Sequence, residues 1–364
     1  MFSDFDRFAM TRALELAARG LETTDPNPRV GCVIALKDRV VGEGWHQKAG
    51  EAHAEVAALS AMRESPEGST IYVSLEPCSH FGRTPPCIDA LIAARVGRVV
   101  FAVGDPNPLV SGKGAEALQA AGIRVESGLM EAEATELNVG YMQRMRDGRP
   151  WVRLKLAMSL DGRTALANGV SQWITSEASR LDVQHWRARS SAILTGAGTI
   201  LTDDPRLDVR LPGEGRRQPL RVVVDSRLRT PPNARLFATG GSVLLLTSPD
   251  PALAKVSALE ASGAQVETMP LVGGRIDLDA TVARLAELQA NEVLVEAGHT
   301  LAGEMLRRSL IDELLLYIAP KLLGPQARAL VDMPRLDYLE YAPEFSLEGV
   351  KKLGDDLCIR LRPR

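Results

Sequence analysis

An alternation of strand and helix patterns, interrupted once, limits the folds open to this sequence. The interruption is the polar segment RDGRP at residues 146–150, whose glycine and proline are typical of a boundary between domains. The 364 residues also exceed one ordinary core, since a domain takes roughly 150 residues. We therefore predict an α/β fold with two domains, residues 1–147 and residues 148–364.

Hydrophobic periodicity and turn residues predict the elements on each side of this boundary. In the first domain we expect a helix at 5–19, strands at 29–36 and 39–46, a helix from His53, a strand at 70–75, a helix at 88–96, a strand at 98–103, a helix at 114–122, a strand at 123–127 and a helix at 131–146. In the second we expect strands at 151–160, 191–196, 220–225, 242–247, 265–269, 292–298, 312–319 and 345–362, and helices at 176–189, from about 250, at 278–289 and from Thr300. A glycine-bearing turn is predicted after the strand at 191–196, and an irregular loop at 210–219.

Charge and composition favour a small-molecule enzyme. The formal net charge is −3 and the pI is near 6.1, which argues against a broad basic face for nucleic acid. The start MFSDFDRFAM lacks a basic region followed by an apolar stretch, and no apolar run approaches the about 18 residues of a membrane helix. We expect a cytoplasmic homo-oligomer that binds neither nucleic acid nor membrane.

Two separate segments offer a set of metal ligands. His53 lies in HAE at 53–55, and Cys78 and Cys87 lie in PCSHFGRTPPC at 77–87. Catalytic zinc typically takes three nitrogen or sulfur ligands from the protein and keeps a fourth position for water, whose pKa it lowers toward neutrality. The sequence therefore predicts a zinc site formed by His53, Cys78 and Cys87.

Glu55 is predicted to transfer protons in this site. Residues two apart on a helix flank point about 200° away from each other, but at the first turn both can face a site beyond the helix end. A carboxylate there can take a proton from attacking water and deliver it to a departing amine. The pattern matches the zinc deaminase signature except that eight residues separate the cysteines, so the intervening SHFGRTPP is expected to help line the pocket.

Other interpretations of these residues remain open at this point. Cys78 and Cys87 could form a structural zinc site or lie in the core, and His80 could compete as a ligand. Both segments in this order favour catalysis. Cys32 and Cys358 lie in apolar strands and are expected to be core residues.

The second domain carries binding-loop residues without a dinucleotide fingerprint. It lacks GxGxxG, but Gly298 lies where a strand ends and a helix begins, so free backbone N–H groups there could take a phosphate. Arg206 and Arg210 follow the glycine-bearing turn after another strand. No cysteine or metal cluster accompanies them, which suits hydride transfer by a bound cofactor.

A series of motifs in this order resembles the RibD family of bifunctional riboflavin biosynthesis proteins over nearly the whole chain. The motifs are PNPRVGCVI, GEGWHQKAGEAHAE, LEPCSHFGRTPPC, DPNP, KLAMSLDGRTA, SQWITS, AILTGAGTILTDDPRL and VEAGHTLAG followed by DELLLYIAPKLLG. The long spacing between the cysteines is also typical of that family. The sequence departs from the family's usual residues at His299, where proline is more common, and at Asp25.

The resemblance implies a cytidine-deaminase-like α/β/α sandwich followed by a dihydrofolate-reductase-like α/β domain. The first domain would deaminate 2,5-diamino-6-ribosylamino-4(3H)-pyrimidinone 5′-phosphate with zinc. The second would use NADPH to reduce the ribosyl group of the product to ribityl. The partners implied are thus phosphoribosylated pyrimidines.

The resemblance also implies roles for individual residues. Glu55 would be the proton shuttle and His53, Cys78 and Cys87 the zinc ligands, with Asn27 and His46 in the deaminase pocket. The implied NADPH positions are Ala157, Trp173, Thr199, Asp203, Ser226, Gly298, His299, Thr300 and Leu301. The implied substrate positions are Ser171, Arg187, Arg206, Leu207, Arg210 and Glu296, where arginines suit the 5′-phosphate.

Two other functions compete with this interpretation. A nucleic-acid or nucleoside deaminase would use the same zinc chemistry with a second domain that is not a reductase, and a nucleic-acid enzyme would need a basic channel. A zinc-stabilised nucleotide-binding protein without catalysis would show no turnover.

Overall fold

The structure is a computed structural model that describes residues 1–81, 85–213 and 216–364. The expected pocket-lining segment SHFGRTPP includes residues 82–84, and the expected loop at 210–219 includes residues 214 and 215; these five positions lie outside the described residues. The chain divides into two compact units, Met1–Gly148 and Arg149–Arg364. No helix in the described ranges is long and apolar enough to cross a membrane.

The first unit is built on one five-stranded sheet. Its order is β2-β1-β3-β4-β5, with β1 antiparallel to both neighbours and β3, β4 and β5 mutually parallel. The strands are β1 (Gly31–Leu36), β2 (Arg39–Trp45), β3 (Thr70–Leu75), β4 (Arg98–Val103) and β5 (Arg124–Ser127). The helices are α1 (Asp4–Ala18), α2 (Ala54–Ser60), α3 (Cys87–Ala93), α4 (Lys113–Ala120), α5 (Glu131–Leu137) and α6 (Val139–Asp147).

Helices cover both faces of this sheet. Successive side chains of a strand point to opposite faces, and on β1 Val33 packs with α1 and α6 while Ile34 packs with α2, α3 and α4. Gly31 allows α1 to approach closely, since a Cβ at this position would lie 2.0 Å from the carbonyl oxygen of Ala13. The first unit is therefore a three-layer α/β/α sandwich.

The single helix predicted at 131–146 is wrong, because Asn138 separates α5 from α6. The Asn138 side chain accepts a hydrogen bond from the Arg29 N–H at 2.8 Å and donates to the Arg29 carbonyl at 2.9 Å. This tertiary contact satisfies the backbone of Arg29 at the entry to β1, and the sequence of the helix alone does not reveal it.

The second unit is built on a nine-stranded sheet in the order β11-β10-β9-β8-β14-β6-β15-β18-β17. Seven strands from β11 to β15 are parallel, and the last two form an antiparallel hairpin at the edge. The strands of the unit are β6 (Trp151–Ser159), β7 (Arg163–Ala165), β8 (Ala192–Gly196), β9 (Leu220–Val224), β10 (Val243–Thr247), β11 (Ala264–Thr268), β12 (Leu271–Val272), β13 (Arg275–Ile276), β14 (Glu292–Val295), β15 (Glu313–Ala319), β16 (Arg328–Ala329), β17 (Phe345–Leu353) and β18 (Asp356–Pro363). The helices are α7 (Glu177–Arg189), α8 (Ala197–Asp203), α9 (Leu253–Ala261), α10 (Leu278–Glu287) and α11 (His299–Arg307).

The central parallel strands of this sheet are buried on both faces. Val222 of β9 packs with α10 and α11, whereas Val223 packs with α7 and α9. Such burial explains the nearly continuous apolar runs of these strands. The turn predicted after the strand at 191–196 is instead the helix α8, whose Ile200 is buried in the core.

Candidate active sites

The predicted zinc ligands lie together at the ends of three elements of the first unit. His53 is the residue before α2, Cys87 is the first residue of α3, and Cys78 lies three residues beyond the end of β3. The His53 Nδ1 atom is 3.2 Å from Cys87 Sγ and 3.4 Å from Cys78 Sγ. The donor atoms all lie within 4.8 Å of one another, and the described residues contain no second His, Cys, Asp or Glu group of this kind.

Hydrogen bonds between the two cysteine segments fix this arrangement. The Cys87 N–H donates to Cys78 Sγ at 3.3 Å, and the Ile88 N–H donates to the Cys78 carbonyl. A hydrogen bond from the Cys87 side chain lowers the pKa of the Cys78 thiol despite its burial. This contact therefore favours the thiolate of Cys78, which is the form that zinc binds.

Glu55 lies in the first turn of α2 and is 3% exposed. Burial, followed by the negative charge of Cys78, raises the pKa of Glu55 to about 7. A carboxyl group that titrates near neutral pH can both accept and release a proton under working conditions. This is the property that a proton shuttle needs.

His46 and Asn27 border the same cluster. The His46 ring packs edge-to-face on the His53 ring with centroids 5.3 Å apart. Its Nδ1 donates to the Ala52 carbonyl at 3.1 Å, so its Nε2 accepts from the Asn27 side-chain amide at 3.1 Å. Burial lowers the pKa of His46, which favours the neutral ring that this pattern requires.

Glu76 was not among the predicted site residues, yet it organises the backbone next to Cys78. Its buried carboxylate accepts hydrogen bonds from the N–H groups of Asp105, Gly112 and Ala115 at 3.1 to 3.3 Å. A Cβ at Gly114 would lie 2.2 Å from the Pro77 carbonyl oxygen. The segment after β4 is thus held against the strand end that carries the ligand.

In the second unit, the predicted cofactor residues follow the carboxyl ends of neighbouring strands. Ser226 follows β9, Thr199 follows β8, Gly298 follows β14, and Ala157 lies near the end of β6. These four strands are adjacent in the sheet. Ligands of open α/β sheets bind outside this edge.

The start of α8 contacts the segment that connects β14 to α11. The Gly298 N–H donates to the Thr199 hydroxyl at 3.2 Å, so this N–H is not free for a phosphate. A Leu301 methyl carbon lies 3.5 Å from the place that a Cβ of residue 196 would occupy. His299 and Thr300 form the first turn of α11, with 3.4 Å between the His299 Nε2 and the Thr300 hydroxyl.

Three further predicted cofactor residues are Asp203, Trp173 and Ser226. Asp203 ends α8, and burial raises its pKa although the nearby Arg328 opposes the shift. Trp173 is exposed, Arg180 stacks on its ring at 4.6 Å, and the Lys321 ammonium donates to its carbonyl. The Ser226 carbonyl accepts from the Ser248 hydroxyl at 2.7 Å.

Arg187 and Glu296 form a buried bidentate ion pair. The guanidinium donates to the two carboxylate oxygens at 2.6 and 2.9 Å, and to the Asp208 carbonyl at 3.1 Å. Burial opposes ionisation of Glu296, but Arg187, Lys155 and Arg210 outweigh it and lower its pKa. Arg187 is therefore committed to Glu296 rather than free to meet a phosphate alone.

Lys155 is a further member of this group that the sequence interpretation missed. It lies on β6, where burial lowers its pKa and the negative charge of Glu296 opposes the shift. A lysine in the middle of the apolar run WVRLKLAMS is the signal that points to it.

The other predicted substrate residues form a half-exposed group beside the pair. Arg206 and Arg210 are partly exposed, and Leu207 between them is buried with a φ of 51°, a strained value for leucine. Ser171 lies in the segment between β7 and α7 and makes no side-chain hydrogen bond within the described residues.

Two family models divide the chain in the same way as these sites. The cytidine and deoxycytidylate deaminase zinc-binding region matches residues 3–103, and the RibD C-terminal domain matches residues 150–359. These matches confirm the predicted fold class, a cytidine-deaminase-like domain followed by a dihydrofolate-reductase-like domain.

Full-length relatives and solved structures agree with the models. The riboflavin biosynthesis protein RibD of Escherichia coli (strain K12) is 48% identical over 98% of this chain and 99% of its own length. The structure of Acinetobacter baumannii RibD, form 1, has a TM-score of 0.92 at 44% identity, covering 99% of both chains. A deaminase/reductase structure from Thermotoga maritima, named for diaminohydroxyphosphoribosylaminopyrimidine and 5-amino-6-(5-phosphoribosylamino)uracil, has a TM-score of 0.86 at 32% identity and the same coverage. The chain therefore belongs to the RibD family of riboflavin biosynthesis proteins and combines a zinc-binding deaminase domain with a reductase domain of the type that uses NADPH.

Proposed function

We propose that the chain carries out two consecutive reactions of riboflavin biosynthesis. The first unit hydrolytically deaminates 2,5-diamino-6-ribosylamino-4(3H)-pyrimidinone 5′-phosphate to 5-amino-6-(5-phosphoribosylamino)uracil. The second unit reduces the ribosyl group of this product to ribityl with NADPH. The observation that carries the proposal is the cluster of His53, Cys78 and Cys87 with Glu55 buried beside it.

The donor set fits zinc. One imidazole nitrogen and two sulfurs within 4.8 Å of one another are the ligands of a catalytic zinc site that keeps one open position. Zinc held by these residues supplies Lewis-acid activation of water.

Glu55 is proposed to move the protons of the deamination. Its carboxylate accepts a proton from the attacking water while the new C–O bond forms at ring carbon 2, which bears the amino group that leaves; the 5-amino group is retained. It then gives this proton to the amino nitrogen, the C–N bond breaks, and ammonia leaves. A pKa of about 7 supports both halves of this transfer. His46 and Asn27, which are joined by a hydrogen bond, are proposed to line the pocket.

The second unit is proposed to bind NADPH along the carboxyl edge of its sheet. The proposed cofactor residues are those at the ends of β6, β8, β9 and β14, together with Trp173 and Asp203. The contact between Thr199 and Gly298 supports this proposal, because it joins the start of α8 to the residue before α11 at the carboxyl edge of the sheet. The phosphoribosyl end of the substrate is assigned to Arg206, Leu207 and Arg210. Ser171, which lies two positions before the proposed cofactor residue Trp173, is also assigned to the substrate. The Arg187–Glu296 pair is assigned to the sugar at which reduction occurs.

A cytoplasmic homo-oligomer is part of the proposal. All four cysteines are free thiols, which supports a reducing compartment. The edge strand β17 exposes Leu347 and Val350, which supports association with a second copy. Light scattering of the purified full-length chain tests the oligomeric state.

The variant Glu55→Gln tests the assignment of the deaminase site. We expect it to retain zinc, measured by elemental analysis, and to lose deaminase activity by about 10²-fold or more. Reduction of pre-deaminated substrate by the same variant should match that of the unmodified chain. Glu67→Gln, an exposed glutamate in the segment after α2, is the matched control and should retain both activities. Full deamination by Glu55→Gln would contradict the proposal.

A further inference from the structure

Two arginines of the second unit share one carboxylate. Arg206 Nη2 lies 2.8 Å from Asp208 Oδ2, and Arg210 Nη1 lies 2.6 Å from Asp208 Oδ1. The Asp208 side chain is 6% exposed, whereas the side chains of Arg206 and Arg210 are 42% and 47% exposed. A buried acceptor thus holds two cations that remain accessible to solvent.

The backbone that carries Asp208 is itself fixed by buried side chains. The Asp208 carbonyl accepts from Arg187, whose guanidinium is held by Glu296. The Arg210 N–H donates to the Gln184 side chain at 2.9 Å. The Gln218 side-chain amide accepts from the Val209 N–H at 2.8 Å and donates to its carbonyl at 3.1 Å. The position of the carboxylate is therefore set by helix α7 and by the Arg187–Glu296 pair.

Arg210 belongs to the same site as Glu296. Its positive charge is among the causes that lower the pKa of Glu296, so the two groups interact electrostatically. Arg210 therefore lies within electrostatic reach of Glu296, and the Arg187 guanidinium contacts the Asp208 backbone between the two arginines.

We propose that Asp208 is a positioning residue that holds Arg206 and Arg210 as one binding pair for the substrate phosphate, and thereby sets the preference of the reductase for a phosphorylated substrate. This inference rests on the proposed function, which assigns the two arginines to the 5′-phosphate. Each guanidinium has five N–H donors, so the contacts with Asp208 leave donors free for the phosphate oxygens.

Two effects of Asp208 on phosphate binding oppose each other. Its negative charge repels a phosphate, but its hydrogen bonds restrict two long side chains that otherwise lose rotamer freedom when they bind. The repulsion is offset because two guanidinium groups lie 2.8 and 2.6 Å from this one carboxylate, so the three side chains together present a net positive charge to the phosphate. The positioning effect is therefore the larger one, and removal of the carboxylate should weaken phosphate binding.

The test is Asp208→Asn in the full-length, zinc-loaded chain. We expect the KM for 5-amino-6-(5-phosphoribosylamino)uracil to rise about tenfold, while the KM for its dephosphorylated form, the kcat and the affinity for NADPH stay unchanged. Asp279→Asn is the matched control, since Asp279 also pairs with an arginine of the second unit, Arg308, and should change none of these values. If Asp208→Asn does not fold, Asp208→Glu displaces the same charge by one methylene and should give the same phosphate-specific rise.

Three results would overturn the inference. Tighter or unchanged binding of the phosphorylated substrate would mean that the charge of Asp208 outweighs its positioning effect. Equal losses for both substrates would mean a general structural role. The variants Arg206→Ala and Arg210→Ala distinguish a wrong role of Asp208 from a wrong assignment of the two arginines to the phosphate. If these variants lose the phosphate preference and Asp208→Asn keeps it, only the role of Asp208 is wrong. If they also keep it, the assignment of the arginines to the phosphate is wrong, and the inference falls with it.

Discussion

Replacing Arg187 by methionine should destabilise the second unit by about 3 kcal/mol. Arg187 and Glu296 are 9% and 11% exposed in their side chains and make two hydrogen bonds with each other. Removal of one partner from a buried pair typically costs about 3–5 kcal/mol, because the other charge is left uncompensated. Lys155 and Arg210 still favour the ionised Glu296, so we expect the lower end of this range.

Calorimetric unfolding of the full chain measures this loss. Because the chain has two compact units, the transitions of the two units have to be followed separately rather than as one. Arg284→Met is the matched control: Arg284 makes a similar bidentate pair with Glu267, but the two side chains are 33% and 31% exposed. The control should lose less than about 1 kcal/mol. If Arg187→Met loses no more stability than Arg284→Met, burial does not explain the contribution of the Arg187–Glu296 pair to stability.

The loss should also depend on pH. In the native chain the pKa of Glu296 is lowered, so its ionised form contributes stability above the usual carboxyl range, and this stability is lost as the pH falls. In Arg187→Met, the effect of burial on Glu296 should exceed that of the remaining positive charges, so the ionised Glu296 carboxylate becomes unfavourable. Protonation of Glu296 then reduces the loss in stability. The difference in the free energy of unfolding between Arg187→Met and the native chain should therefore shrink as the pH falls from neutral. A difference that grows under acid conditions would contradict this reasoning.

Three further predictions concern the first unit. Asp6 is buried, which opposes its ionisation, but hydrogen bonds from Arg98, Tyr72 and the Ser3 N–H hold its pKa well below the usual value. Asp6→Asn should therefore lower the free energy of unfolding at neutral pH, and the gap between variant and native chain should narrow below about pH 4. A gap that stays constant during acid unfolding would refute this role of the Asp6 carboxylate. Gly31→Ala should lower the stability of the first unit by about 1–3 kcal/mol, because the new Cβ would lie 2.0 Å from Ala13 and 2.6 Å from Ala17 backbone atoms; an unchanged melting temperature would show that α1 can shift freely. Removal of zinc by a chelator should abolish deamination but leave the NADPH-dependent reduction of the deaminated compound unchanged, as followed by the absorbance of NADPH. A parallel loss of both activities would contradict separate sites.

The sequence predicted the elements whose side chains are buried on regular faces. Strands β3 and β4 have the predicted bounds, because the apolar run of β3 ends at Glu76-Pro77 and that of β4 ends at Gly104-Asp105. The residues of the zinc cluster could be proposed for a similar reason, since their residue types and their order along the chain are set by the chemistry of the metal.

Features that depend on distant contacts could not be predicted in this way. Asn138 divides α5 from α6 through hydrogen bonds to Arg29, which lies 109 positions earlier. The pairing of Arg187 with Glu296 spans the same separation, so the sequence presents two separate charged residues rather than one ion pair. In the sequence, Asp208 is only a residue between two arginines, and the role proposed for it rests on its burial and on its ion pairs with both guanidinium groups.

We propose that this one chain holds a deaminase and a reductase that act in sequence. Mass spectrometry of the diaminopyrimidinone phosphate, incubated with zinc-loaded full-length protein with and without NADPH, tests it most directly. We expect the deaminated compound without NADPH, and the ribityl compound only when NADPH is present. Deamination without any NADPH-dependent product would contradict the assignment of the second unit, and no deamination at all would contradict the role of the His53, Cys78 and Cys87 cluster.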